Sequence, residues 1–280
     1  MDLPLFSILI ANYNNAHYIE QAISSVLEQS YTNWEIVIMD DHSTDNSYEI
    51  IAGYVDQKIR LYRNRSNKGC GYTKRKLVEL ARGEILGFLD SDDRLAEKAI
   101  ETMVGEHLNR PECSLIYSTH YVCDPELKIL ETSLYTGIIP ADESHLTTRG
   151  PRISHFVSFK KHYYKNTAGI NPRLRIAEDQ DIYYKLEEAG EIYFVDEPLY
   201  FYRTHQAGTS QNENRARGYI LDMKASLAAW KRRKRSGTKA NLDKEQVRER
   251  KKIIKDWYRK RAIRRRNPFL VLGYLKKYTI

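Results

Sequence analysis

The chain has 280 residues, 41% hydrophobic and 29% charged, enough to bury one sizeable core with an appendage but not two large independent ones. No apolar run reaches the roughly 20 residues needed to span a bilayer, and the opening MDLPLFSILIANYNN has neither the basic region nor the cleavage site of a signal peptide, so a cytoplasmic protein is expected. The net charge of +8 is uneven, because residues 224–280 hold 21 Lys plus Arg against 4 Asp plus Glu, a net of +17 that leaves −9 on residues 1–223.

In chain order, Phe6–Ala11 is a short apolar run that predicts a buried strand delivering the polar loop Asn12-Tyr13-Asn14-Asn15. Ile19, Ala22, Ile23, Val26 and Leu27 recur at three- and four-residue spacing, predicting a helix over Tyr18–Glu28. A second strand, Trp34–Met39, stops at Asp40-Asp41-His42-Ser43-Thr44-Asp45, and a helix over Ser47–Val55 and a strand over Ile59–Tyr62 follow. A helix over Tyr72–Ala81 and the strand Ile85–Leu89 then deliver Asp90-Ser91-Asp92-Asp93. This alternation predicts an α/β fold with a parallel sheet, whose ligands bind outside the carboxyl ends of the strands where Asp41 and Asp90–Asp93 converge. After a helix over Ala96–Leu108 and a strand at Ser114–Tyr117, a less regular half runs to about Gln211. It includes Glu178-Asp179-Gln180-Asp181, a helix over Ile182–Ala189, the strand Ile192–Val195 and Tyr202-Arg203-Thr204-His205. From Gly218 onward the pattern is helical and basic, broken near Gly237 and Asn241. The expected division is a catalytic unit over 1–217, with a nucleotide half at 1–112 and an acceptor half at 113–217, and a basic helical region over 218–280.

Cys70, Cys113 and Cys123 are odd in number and lack close spacing, which argues against a disulfide framework or structural zinc and for reduced packing residues. The acidic turn at Asp90–Asp93 has a direct chemical use: a hard divalent cation, Mn²⁺ or Mg²⁺, held by carboxylates neutralises a departing diphosphate. Standing alone, the same turn is also a solvated helix cap.

The order and spacing of several segments resemble family 2 glycosyltransferases of the GT-A fold, a Rossmann-like, mostly parallel sheet flanked by helices. The resemblance covers about residues 5–211 and rests on Ser7–Asn14, Ser24–Ser30, Glu35–Asp45, Asp90–Asp93, the Glu178-Asp179 pair and Tyr202-Arg203-Thr204-His205. It implies an inverting enzyme that moves a sugar from a nucleotide-diphosphate donor, typically a UDP-sugar, to an acceptor hydroxyl in polysaccharide or glycoconjugate synthesis. It assigns the donor to Ala11, Tyr13, Asp41, Lys74, Asp90, Ser91 and Arg203, the metal to Asp92 and His205, and the base to Asp179 with Glu178 second. One departure stands out: where the family pattern reads A-R-N, this chain has Thr73-Lys74-Arg75, so charge is kept at Lys74 while the two-pronged guanidinium is lost.

A glycan or lipid-linked glycan is the acceptor class implied, with tyrosines of the second half, Tyr163, Tyr164, Tyr183 and Tyr184 among them, as sugar-stacking or core residues. The basic region, with Trp230, Trp257, Phe269 and Tyr274 among its cations, reads either as peripheral contact with an anionic membrane or as helices packed on the catalytic unit. A nucleotidyltransferase is disfavoured because the loop after the first strand contains no glycine. A nucleic-acid-binding module would leave the acidic motifs unexplained, and no nucleic acid partner is expected.

Overall fold

Alternation along β1 (Phe6–Asn12) sends Ile8 and Ile10 into one buried layer and Leu9 into the other, so the strand is covered on both faces. The computed structural model describes residues 3–148, 152–206, 208, 213–238 and 241–264. β1 pairs in parallel with β2 (Trp34–Asp40) and β4 (Ile85–Phe88), and β2 with β3 (Ile59–Arg63). In one layer, Ile8 and Ile10 meet Ile19, Ala22, Ile23 and Val26 of α1 (Ile19–Leu27), with α2 (Ser47–Ala52) beside it. In the other, Leu9 and Val37 meet Leu77 and Val78 of α3 (Cys70–Leu80). Each such fully buried aliphatic side chain contributes about 1.5–3 kcal/mol.

The predicted parallel arrangement describes β3-β2-β1-β4, and the sheet then becomes mixed. β5 (Arg94–Leu95), α4 (Ala99–Asn109), the long β6 (Cys113–Cys123), β7 (Ile129–Thr132), β8 (Val157–Lys160), α5 (Lys161–Lys165), α6 (Glu178–Ala189) and β9 (Glu191–Arg203) complete the unit. The order is β3-β2-β1-β4-β8-β6-β9-β5, with β7 on β6. Because β8 is antiparallel to both β4 and β6, β6 runs in the direction of β4, and β9 is parallel to β6. The carboxyl ends of β1, β2, β4, β6 and β9 therefore share one edge of the sheet.

The basic region forms two helices, α7 (Glu213–Ser236) and α8 (Lys244–Arg264), separated near Gly237, which has φ of 74°. α7 packs on α6: Ile220, Met223 and Leu227 join Tyr184 and Leu146 in a third apolar cluster, which Val247 and Ile254 of α8 also enter. Tyr184 Oη donates to Asp222 Oδ1 at 3.0 Å, and Arg233, only 2% exposed, pairs with Glu187 and donates to Ser144 Oγ at 3.2 Å. Trp230 and Trp257 are partly buried beneath Lys234 and Arg261 respectively, while Phe269 and Tyr274 lie outside the described residues. Among the described residues no helix is long and apolar enough to cross a membrane.

Arg233 and Arg232 differ chiefly in burial, at 2% against 32% side-chain exposure. Removing one partner of a buried ion pair strands the other, whereas an exposed pair is screened by water. Urea unfolding should accordingly show Arg233→Ala losing about 3–5 kcal/mol and Arg232→Ala losing at most about 1 kcal/mol.

Candidate active site

Two adjacent aspartates at the end of β2 are put to different uses. Asp40 is fully buried and serves the framework: it accepts from Ser43 N at 3.0 Å, Ser43 Oγ at 2.5 Å and Asn12 Nδ2 at 3.1 Å, with Arg63 Nε at 3.3 Å. Ser43 Oγ in turn accepts from Asn14 N at 3.0 Å, and Thr44 N donates to Asn14 Oδ1 at 2.8 Å, so the loops after β1 and β2 are knitted together. Asp41 instead holds the segment before α3. Its Oδ1 accepts from Asn64 Nδ2 at 2.7 Å and Lys68 N at 2.8 Å, and its Oδ2 from Gly69 N at 2.7 Å. A carboxylate oxygen accepts two bonds, so Oδ2 retains capacity for a ligand donor.

The strand β4 ends in an acidic turn whose four side chains have separate partners. Asp90 Oδ1 lies 3.4 Å from Lys74 Nζ, and that ammonium also reaches Glu178 Oε1 at 3.1 Å. Burial opposes charge on both Asp90 and Lys74, but their mutual attraction outweighs it, holding Asp90 below and Lys74 well above their ordinary pKa ranges. Ser91 Oγ accepts from Asn15 Nδ2 at 2.7 Å. Asp92 Oδ2 meets His205 Nε2 at 2.9 Å. Asp93, 1% exposed, accepts from Tyr200 Oη and from Arg203 N, each at 2.7 Å. Burial, then the charges of Asp92 and Asp90, push the Asp93 carboxyl well above the usual carboxylate range.

This turn brings carboxylate oxygens close to imidazole nitrogens, a donor set that suits a divalent cation such as Mn²⁺ or Mg²⁺. Ligand atoms of Asp90, Asp93 and His155 lie within 4.8 Å of one another. However, both oxygens of Asp93 are engaged by Tyr200 and Arg203, and the His155 ring is stacked against Tyr200 and Tyr202 with centroids 5.0 Å away in each case. Asp92 retains 23% side-chain exposure on the cavity, so the Asp92–His205 pair is better placed to meet an incoming ion.

The opposite wall is the first turn of α6, entered through Ala177 in the left-handed region at φ of 62°. Glu178 accepts from Lys74 and from the Cys70 thiol at 3.0 Å, which fixes its carboxylate. The Asp179 carboxylate accepts from Gln180 N at 2.7 Å. Burial first, and the neighbouring Glu178 charge second, push Asp179 up to about 7. Such a carboxyl is tuned to exchange a proton near neutrality. Asp181, next but one, is a structural residue paired with Lys185 at 2.5 Å.

A cavity of about 400 Å³ joins these walls and is lined by Ala11, Tyr13, Asp41, Lys74, Asp90, Ser91, Asp92, Glu178, Asp179 and Arg203; His205 adjoins it through Asp92. Arg203, expected at the phosphates, turns its donors to the protein: Nε to Asp92 O at 2.6 Å, Nη2 to Gln21 Oε1 at 2.5 Å and Nη1 to Pro125 O, with Tyr18 beneath the guanidinium. Arg203 therefore shapes the acidic turn. His155 and Arg175 also line the cavity and were not singled out from sequence; Asn67, of the Asn67-Lys68-Gly69 motif that precedes Thr73-Lys74-Arg75, lines it too. His155 and Arg175 both lie in irregular segments with no motif, and only the packing of the chain brings them to the cavity.

Acidic strand ends face the first turn of α6 across one cavity, on a sheet of the kind found in glycosyltransferases of the GT-A fold. The chain belongs to glycosyltransferase family 2: residues 7–166 match the Glycosyl transferase family 2 profile. Chondroitin synthase of Escherichia coli is 31% identical over 209 residues, which are 74% of this chain and 30% of that protein, so this chain spans under a third of its length. Staphylococcus aureus TarS 1–349 in complex with UDP-GlcNAc superposes with a TM-score of 0.69 at 18% identity, covering 98% of this chain and 80% of that one. The mannosyltransferase PcManGT of Pyrobaculum calidifontis in complex with GDP-Man and Mn²⁺ gives 0.63 at 17% identity, over 80% and 64%. Both share the GT-A fold.

The pKa of Asp179 carries a stability consequence. In the unfolded chain it ionises near 3.8, whereas the folded chain retains the proton up to about 7. Folding stability therefore falls as pH rises between these values and stays lower above. Metal-free Asp179→Asn should melt higher than wild type at pH 8, with the difference shrinking toward pH 4.

Proposed function

We propose that this chain transfers a sugar from a nucleotide-diphosphate donor, a UDP-sugar, to an acceptor hydroxyl with inversion, as a step in polysaccharide or glycoconjugate assembly. The observation that carries the reading is the placement of Asp179, with a pKa of about 7, across one cavity from the acidic turn Asp90–Asp93. The UDP-GlcNAc complex of TarS and the name of the chondroitin synthase relative support the donor and product classes.

Asp41 and the backbone beside Ala11, with Tyr13, seat the nucleoside, and Asp90 and Ser91 bound the ribose and diphosphate region. Asp92 and His205 would hold a divalent cation, which would supply positive charge against the diphosphate leaving group. Asp179 as a carboxylate takes the acceptor hydroxyl's proton while that oxygen bonds to the anomeric carbon. The carbon–oxygen bond to the diphosphate breaks on the opposite face, and its electron pair leaves with UDP. Glu178, fixed by Lys74 and Cys70, keeps Asp179 oriented and raises its basicity. The catalytic unit occupies residues 1–217, with 218–280 appended to it.

Calorimetry with UDP, GDP, CDP and dTDP should show Mn²⁺-dependent binding of UDP that Asp92→Ala abolishes; metal-independent or absent binding of all four would sink the reading. With a donor in hand, Asp179→Asn should lose about 10²–10⁴-fold in kcat at unchanged donor affinity. The wild-type rate should climb with pH to a plateau above about 7.

Peripheral contact with an anionic membrane through 224–280 forms a separable part of this proposal, supported by the net charge of that segment and by the exposed Lys252, Lys255, Arg259 and Lys260 of α8. Converting these four to Glu leaves the buried Arg233 contact intact. The wild type should float with anionic vesicles at low salt and the variant should not; equal flotation refutes the contact.

A further inference from the structure

Among the described residues three Lys or Arg side chains line the cavity, and two are committed. Lys74 is buried between Asp90 and Glu178, and Arg203 spends its guanidinium on Asp92 O, Gln21 and Pro125. Arg175 differs from both. It is exposed, and among the described residues no carboxylate pairs with it. Its stem lies on the backbone of Gly69, where a Cβ would come 2.8 Å from Arg175 Cγ and 3.2 Å from Nε, and Gly69 itself has φ of 88°. Arg175 Nη1 donates to Asn67 Oδ1 at 3.3 Å.

Both contacts belong to the segment that Asp41 ties down, through Lys68 N and Gly69 N. The guanidinium is thus moored on the segment that Asp41 holds. A planar, weakly hydrated guanidinium stacks on the face of a nucleobase, which a compact ammonium does not do. Gly69 fits this arrangement twice, since it takes the left-handed conformation at low cost and leaves room for the arginine stem.

We propose that Arg175 is a donor-binding residue that lays its guanidinium on the base of the nucleoside diphosphate, opposite the edge that Asp41 bonds. The inference rests on the nucleotide-sugar reading above and assigns it a residue that sequence motifs did not. Because Arg175 precedes Glu178-Asp179 by only three residues, a bound base also restrains the chain leading into the catalytic turn of α6.

The test is calorimetry of UDP and of inorganic pyrophosphate, each with Mn²⁺, on the full chain and on Arg175→Ala and Arg175→Lys, with melting of the unliganded proteins as a control. Loss of one stacking contact should weaken UDP binding about tenfold or more in both variants. Pyrophosphate binding and unliganded melting temperatures should be unchanged. UDP affinity equal to wild type in Arg175→Ala overturns the assignment, as does a parallel loss of UDP and pyrophosphate, which would place the side chain on the phosphates. A wild-type chain that binds no nucleotide overturns the donor reading itself and this inference with it; wild-type binding with an indifferent variant overturns this inference alone.

Discussion

The buried ammonium of Lys74 is the contact on which the site depends. It projects from α3 and lies within 3.4 Å of Asp90 at the end of β4 and 3.1 Å of Glu178 at the start of α6. Three elements far apart in sequence are thereby fixed at one point, between the parallel half of the sheet and the mixed half. A buried charge is costly without partners, so each member makes the other two necessary. Lys74 holds Asp90 below the usual carboxylate range, while burial and the Glu178 charge lift Asp179 to about 7 against the pull of Lys74. Asp90 and Asp179, on facing walls of the cavity, thus differ in protonation tendency because Lys74 lies against Asp90, whereas Asp179 is governed by burial and Glu178.

The substitution of lysine for arginine at this position has a structural consequence. A guanidinium has five donors in a planar fork, whereas an ammonium has three on one atom, and here Asp90 and Glu178 engage it. Lys74 is consequently a strut. The departure at this position therefore changes how the cavity is braced, with Lys74 still on its lining.

Legibility from sequence followed apolar pattern. β1 to β4 were recognisable because strands buried on both faces read as apolar runs that end in polar loops, and their observed limits lie within a residue of the expected ones. β5, β7 and β8 are two to four residues long, too short for periodicity to emerge, and β7 is exposed throughout. β6 and β9 were seen only as fragments, because register shifts between Cys113 and Tyr121 and the polar Asp196-Glu197 break the alternation. α6 begins at Glu178, four residues before its apolar stretch, because its first turn buries charged groups against the cavity instead of hydrocarbon against the core. The site showed the same bias: motif acids stood out, but His155 and Arg175 enter from irregular chain and are brought in only by the packing of the second half.

α7 extends this dependence outward. Through Arg233–Glu187, Tyr184–Asp222 and an apolar cluster, it presses on the outer part of the same helix whose inner end presents Glu178 and Asp179. The basic region is therefore not merely a charged appendage. Glu187 lies nine residues, or about two and a half turns, beyond Glu178, and a rigid helix transmits a shift at one end to the other as a displacement of comparable size. A base must sit within hydrogen-bond reach of its proton, where an error of about 1 Å costs on the order of a hundredfold in rate. The apolar and ionic contacts that fasten α7 to α6 thus brace the helix that carries Glu178 and Asp179, independent of what the outer, cationic face of these helices meets.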